Sequence, residues 1–154
     1  MLKAADALGG AGYRVGVVST DTTSWATAAD AAVRQTRRWD SDSVVDYGAA
    51  TGRALRLKSG LRFKAMQTIA GVIGPSRVPA SVAIRAYARV HDELVSAIVS
   101  QRPDFIYGGT TGALAAVADA ARRLRVPYAI DFEDFHSGEH NGPGSDLTNA
   151  LAHA

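Results

Sequence analysis

Short unbroken apolar runs alternate along this chain with longer stretches in which apolar residues recur every three or four positions. The runs Tyr13-Arg14-Val15-Gly16-Val17-Val18, Ser43-Val44-Val45-Asp46-Tyr47, Phe105-Ile106-Tyr107 and Val126 to Ile130 are too short for helices and are bounded by glycine, proline or polar residues. They predict four strands, at 13–18, 43–47, 104–107 and 126–131. The intervening stretches predict helices. Ala4, Ala5, Ala7 and Leu8 give helical spacing over 2–12, ended by Gly9, Gly10 and Gly12. Ser24 is placed to cap a helix running through Trp25, Ala29 and Val33 to Arg37. From Gly52 to Gly74 the positions Leu57, Leu61, Ala65, Ile69 and Ile73 recur every four residues, with a break expected at Ser59-Gly60. After the loop from Gly74 to Pro79, Ile84, Tyr87, His91, Leu94, Val95 and Ile98 mark one face of a single long helix ending near Arg102-Pro103. An alanine-rich helix covers 112–124, and a last one starts at Ser145.

Strand and helix in alternation predict a doubly wound α/β domain with a parallel sheet. The segment from Phe105 to Ile130 reads as a right-handed strand-helix-strand unit whose two strands point the same way. Ligands of such sheets bind beyond the carboxyl ends of the strands. That end here carries Gly108, Gly109, Thr110 and Thr111 on one side and Asp131 onward on the other. The glycines at 9, 10 and 12 precede a strand instead of following one, so they end a helix and do not form a dinucleotide fingerprint. The 154 residues suit one domain. The chain opens in a helix and closes partway through another, so both ends read as cut.

Composition narrows the classes. With no cysteine there is no disulfide framework and no thiolate metal site. Lys3 and Asp6 interrupt the first stretch, no run approaches the length of a membrane span, and a soluble cytoplasmic protein is expected. The net charge of +2 is unevenly spread: no acid stands between Asp46 and Asp92, where Arg53, Arg56, Lys58, Arg62, Lys64, Arg77, Arg85 and Arg89 supply eight positive charges. The remainder has nine basic against fifteen acidic residues, net −6, and five acids with no Lys or Arg follow Arg125. A basic flank and an acidic crevice end are the expectation. The basic helix has two readings: its Leu/Ile stripe packs on the sheet, or residues 53–64 lie against anionic lipid at the inner face of the membrane. Core packing with a secondary electrostatic role is the expectation. Phe63 is the only aromatic within residues 53–64, so nucleic acid is not expected as a partner.

Two constellations could carry chemistry. The Gly108-Gly109-Thr110-Thr111-Gly112 turn offers backbone N–H groups, two hydroxyls and a helix start that suits a phosphate, a sugar hydroxyl or a carboxylate. Equally, the glycines make the turn and a threonine caps the helix. Asp131, Glu133, Asp134, His136, Glu139 and His140 gather candidate acid/base or metal-ligating groups within ten residues. His136 to His140 spells H-x-x-E-H, but Gly138 interrupts it and Asn141-Gly142-Pro143-Gly144 breaks any helix that would face both histidines to one metal. An acid/base role at the crevice fits better, beside the plain reading of a solvated acidic loop. His91, on an apolar helix face, is expected to be a packed, hydrogen-bonded core residue.

Several phrases together resemble the N-terminal, acceptor-side domain of retaining GT-B fold glycosyltransferases, family 4-like: Lys3 to Leu8 leading into Gly12-Tyr13-Arg14-Val15, Ala86 to His91, Asp104 to Leu114, and Tyr128 to Glu139. The resemblance spans about residues 2–140 and rests on order and spacing. It implies a Rossmann-like parallel sheet flanked by helices, lacking the family's first strand and its glycine loop. It also implies a sugar or lipid-linked acceptor, and a nucleotide-sugar donor held by a separate C-terminal domain, with no metal or cofactor. Gly109 stands where many relatives carry a cleft histidine. The implied roles are His136 and Glu133 as catalytic groups, with Gly108, Gly109, Thr110, Thr111, Asp131 and Asp134 contacting substrate. The chain alone is then expected to be inactive, a fragment of a transferase, and prone to self-association because a central strand is missing. The alternatives are a non-catalytic Rossmann-like sugar- or anion-binding or docking module, and a metal-dependent hydrolase using the acidic cluster.

Overall fold

The computed structural model describes residues 2–22, 25–47, 52–74 and 77–131. In chain order the elements are α1 (Leu2–Gly10), β1 (Gly16–Asp21), α2 (Thr27–Gln35), β2 (Ser41–Asp46), α3 (Arg53–Ile73), α4 (Ala80–Tyr87), α5 (His91–Gln101), β3 (Ile106–Gly109), α6 (Thr111–Leu124) and β4 (Tyr128–Asp131). The class is α/β, with every strand pairing parallel, as expected. The single sheet is not formed among the described residues. Instead β1 pairs only with β2, and β3 only with β4.

The two ribbons share one helical floor. Ile98 of α5, Ile106 of β3, and Val117, Ala120 and Ala121 of α6 form a buried cluster onto which Val18 of β1 and Ile130 of β4 pack. Leu94 and Val95 of α5 with Ala116 of α6 form a second cluster, and Val18 and Val45 pack against that one. Val18 therefore touches both. Gln101, the last residue of α5, lies against Gly16, where β1 begins, and its Oε1 accepts a hydrogen bond from Ser41 Oγ at 2.9 Å. β3 starts a few residues after that same helix end, and β1 is hydrogen-bonded to β2 and not to β3.

Three of the four strands start later than apolar content suggests, and β2 starts earlier, at Ser41. Strand β1 starts at Gly16 because Tyr13 is 66% exposed and Val15 spends its backbone on Asp40, donating to Oδ2 at 2.6 Å and accepting from the Asp40 N–H at 2.9 Å. Strand β3 starts at Ile106, leaving Phe105 half exposed. The predicted Ser24 cap and the helix from Ser145 lie outside the described residues. Helix α1 is anchored by Asp6, which accepts from Arg37 and, at 3.4 Å, from Trp39 Nε1.

Two helical expectations are corrected. The long helix through 84–98 is two helices, because Ala88 is extended (φ −103°, ψ 94°) and the chain turns through Arg89 and Val90 before α5 starts. The turn frees Arg89, whose Nε donates to Ser59 Oγ at 3.0 Å and whose guanidinium lies 5.8 Å from the Tyr47 ring centre. Conversely, α3 has no break at Ser59-Gly60: Ser59 is fully buried and its hydroxyl donates back to the Arg56 carbonyl at 3.2 Å. The leucine stripe of α3 does not pack on a sheet either. Leu57 and Leu61 are 65% and 63% exposed, and α3 instead docks on α4, where Gln67 Nε2 donates to the Ala86 carbonyl, while its Ser59 and Arg62 reach past α4 to Arg89. The reason is a polar one. Arg62 alone among the cations of α3 points inward, to Glu93 and Asp92, and fixes which face of the helix is turned to α5.

Candidate functional site at the strand ends

The register of β3 and β4 brings the two predicted segments together at their carboxyl ends, with Gly108 opposite Ile130 and Gly109 opposite Asp131. Gly108 is required by packing: a Cβ there would overlap Val117 Cγ2, so only glycine lets α6 lie this close on β3. After Gly109 the chain turns through Thr110 at φ 70°, ψ 140°, a conformation that side-chain-bearing residues rarely adopt. Thr110 stands at the N-cap of α6, but its hydroxyl does not cap the helix. Its carbonyl accepts from Ala113 N–H at 3.0 Å. Thr111 is the first residue of α6. The expected Thr110 side-chain cap is thus absent; with the Ala113 amide spent on the Thr110 carbonyl, the helix start still presents the positive end of its dipole, which favours negative charge.

Asp131 closes the other side. The Tyr107 hydroxyl donates to its Oδ2 at 2.8 Å, which fixes the carboxylate over the strand end while Asp131 remains half-buried. A carboxylate so oriented can accept hydrogen bonds from hydroxyls of a bound molecule. Glu133, Asp134 and His136, together with Glu139 and His140, lie outside the described residues.

The other ribbon ends in a pair that the sequence reading did not single out. Asp21 and Asp46, the last residues of β1 and β2, stand opposite each other in register. Thr27 Oγ1 donates to Asp21 Oδ2 at 3.0 Å. The signal was available, since each aspartate ends an apolar strand just as Asp131 does. Three of the four strands thus end in aspartate. Among the described residues no three His, Cys, Asp or Glu side chains converge closely enough to hold a metal ion.

Most of the perturbed titration lies one step away, around the start of α5. Glu93 takes Arg62 Nη1 on Oε1 at 2.9 Å, and Nη2 on Oε2 at 2.6 Å. Tyr47 adds its hydroxyl to Oε2 at 3.1 Å. Burial alone would raise the Glu93 carboxyl, but the Arg62 bonds outweigh it and hold it below the usual range. With both oxygens engaged, Glu93 is not placed to act as a base. His91 is fully buried, with Nδ1 2.9 Å from Asp92 Oδ1 and Nε2 3.1 Å from Asp119 Oδ2, the packed core residue expected from its spacing. This cluster ties α3, α5 and α6 together.

Two shallow cavities open elsewhere. One, of about 460 Å³, lies between the end of α1 and Arg38, Trp39 and Asp40. The other, of about 480 Å³, lies beside α3. Neither is lined by the ledge that Gly109, Thr110 and Asp131 form at the ends of β3 and β4. No helix among the described residues is long and apolar enough to cross a membrane. No protein-family model, curated protein or solved structure matches this chain.

Proposed function

We propose that the chain is the acceptor-binding domain of a two-domain glycosyltransferase, presenting a sugar or lipid-linked acceptor to a nucleotide-sugar held by a separate donor-binding domain. The observation that carries this reading is the ledge itself: Gly109 in register with Asp131, and Asp131 fixed by Tyr107 next to the uncapped start of α6. A carboxylate oriented by Tyr107 beside a helix start with no side-chain cap is a suitable surface for vicinal hydroxyls, which both donate and accept. The separation of β1 from β3 gives further support, because the family's central first strand, which the described residues do not form, would run between them.

In this reading Asp131 accepts from an acceptor hydroxyl and sets its angle toward the donor. The amides at the start of α6 and the Gly108–Thr111 backbone hold a neighbouring oxygen. Glu133 and His136 are the proton-handling candidates and Asp134 a further contact, assigned from sequence alone. Departure of the donor phosphate needs groups on the other domain, so the chain alone transfers nothing. No metal or cofactor enters this scheme.

The test is to join the chain to a donor-binding domain and assay transfer from a panel of nucleotide sugars, while following acceptor binding to the chain alone by NMR. Transfer that Asp131→Asn abolishes supports the proposal. Sugar binding at Asp131 without transfer from any donor would favour a non-catalytic binding module, and no binding of any sugar at the ledge would overturn both.

A further inference from the structure

The 21-residue helix α3 turns its apolar stripe outward. Leu57 and Leu61 are largely exposed, Ile69 and Ile73 are about two-fifths exposed, and Val72 is 83% exposed. Exposing one such residue is ordinary; a helix exposing a continuous stripe at four-residue spacing leaves a face that needs an apolar phase.

The charges on the same face show what kind of phase. Arg53, Arg56, Lys64 and Arg89 surround Leu57 and Leu61 in a groove of about 480 Å³. Among the described residues the side chains of Arg53, Arg56 and Lys64 meet no acid, whereas Arg62, on the opposite side of the helix, is paired with Glu93 and Asp92. Arg89 is held in place by Ser59 Oγ and the Arg56 carbonyl, so one wall of the groove is rigid. There is no carboxylate anywhere from residue 47 to residue 91, so the face is cationic and apolar with nothing to repel an anionic layer.

We propose that this face of α3 docks on an anionic phospholipid surface, with Leu57 and Leu61 entering the acyl boundary and Arg53, Arg56, Lys64 and Arg89 meeting headgroup phosphates. A free phosphate would satisfy the cations and leave the leucines in water. The alternation of cations with leucines along one stripe therefore selects the lipid layer over a soluble anion. The proposal stands independently of sugar transfer and uses a different surface.

The full chain is sedimented with vesicles of phosphatidylcholine alone and of phosphatidylcholine with phosphatidylglycerol. Binding is expected only to the anionic vesicles, weakening as salt is raised. The triple variant Arg53→Gln/Arg56→Gln/Lys64→Gln and, separately, Leu57→Ser/Leu61→Ser should each lower partitioning by about tenfold or more. All five side chains are exposed, and circular dichroism checks that the variants stay folded. As a second readout, Leu61→Trp should show an added fluorescence component that shifts to the blue on anionic vesicles. Absence of vesicle binding by the parent chain overturns the proposal. So does binding that survives the leucine changes and is displaced by inorganic phosphate, which would reassign the groove to a soluble anion.

Discussion

Arg62 grips Glu93 in a two-point fork across 31 residues of sequence, at 2.9 and 2.6 Å, with side chains only 18% and 12% exposed. Truncating the cation strands a half-buried carboxylate, so Arg62→Ala should cost about 2–3 kcal/mol, read as a lowered urea midpoint. The pH dependence follows from two carboxyls. In Glu93 and Asp92 burial pushes upward, but hydrogen bonds from Arg62 to the first, and from His91 and Arg85 to the second, leave both below the usual range. Depressed folded-state values contribute stability that is complete above the ordinary carboxylate range and lost as pH falls toward the folded-state values. Arg62→Ala should flatten that acid limb; an unchanged limb would mean that the pair does not control it.

Tyr47 should resist base. Its phenol is pushed upward by burial first and by the Glu93 charge and hydrogen bond next, against a smaller pull from Arg62 and Arg89. A raised folded-state value means that its contribution is present below the ordinary tyrosine range and is lost only as pH climbs through the folded-state value. In an alkaline absorbance titration, one of the five tyrosines should ionise last, together with unfolding. Tyr47→Phe should remove that delayed step.

Gly108→Ala tests the packing of α6 on β3. The added methyl meets Val117, and overpacking of this kind costs about 2–3 kcal/mol. Adding Val117→Ala should recover part of the loss. A double mutant no better than the single one would show that backbone conformation, not this contact, makes the glycine necessary.

Asp131 and Tyr107 separate function from fold. Tyr107→Phe removes one hydrogen bond near the surface, for which a cost within about 1 kcal/mol is expected, yet it should loosen the carboxylate and weaken sugar binding at the ledge. Equal binding by parent and variant would sink the idea that Tyr107 orients Asp131 for a ligand.

Backbone direction makes a further prediction. Asp21 and Val15 turn their carbonyls toward the β2 side, and Ile106 turns its N–H toward Pro127 beside β4. By alternation, Val18 and Thr20 face away from β2, and Gly109 away from β4. Their amides should exchange with deuterium faster than those of Val17, Ser19 and Gly108. Edges of this kind also invite pairing between copies, so sedimentation should show association that rises with concentration. Slow exchange at all six amides in a strict monomer would contradict both expectations.

Much of this was legible in the sequence. Four strands that pair parallel in chain order, and the meeting of Gly109 with Asp131, follow from short apolar runs and from the handedness of strand-helix-strand units, whereas the division into two separate ribbons in place of one sheet does not. The strand limits were not legible, because Tyr13 and Phe105 are apolar yet exposed, while polar Ser19, Thr20, Ser41 and Asp42 are paired in a ladder. The break at Ala88–Val90 has no glycine or proline to announce it and is tied to Arg89 turning toward Ser59. The outward face of α3 was hidden for a related reason. Periodicity tells which residues share a face, but Arg62 and its acids decide which face turns inward.

The division into two ribbons bears on how the chain folds. Each ribbon is closed by a nearby crossover, α2 for one and α6 for the other, so each can form from contacts close in sequence. What joins them is α5, with Val18 lying across both halves of the core. The slow, long-range event is therefore the docking of two preformed halves on one helix. Damage to α5 should leave each half able to form its local structure while uncoupling their unfolding.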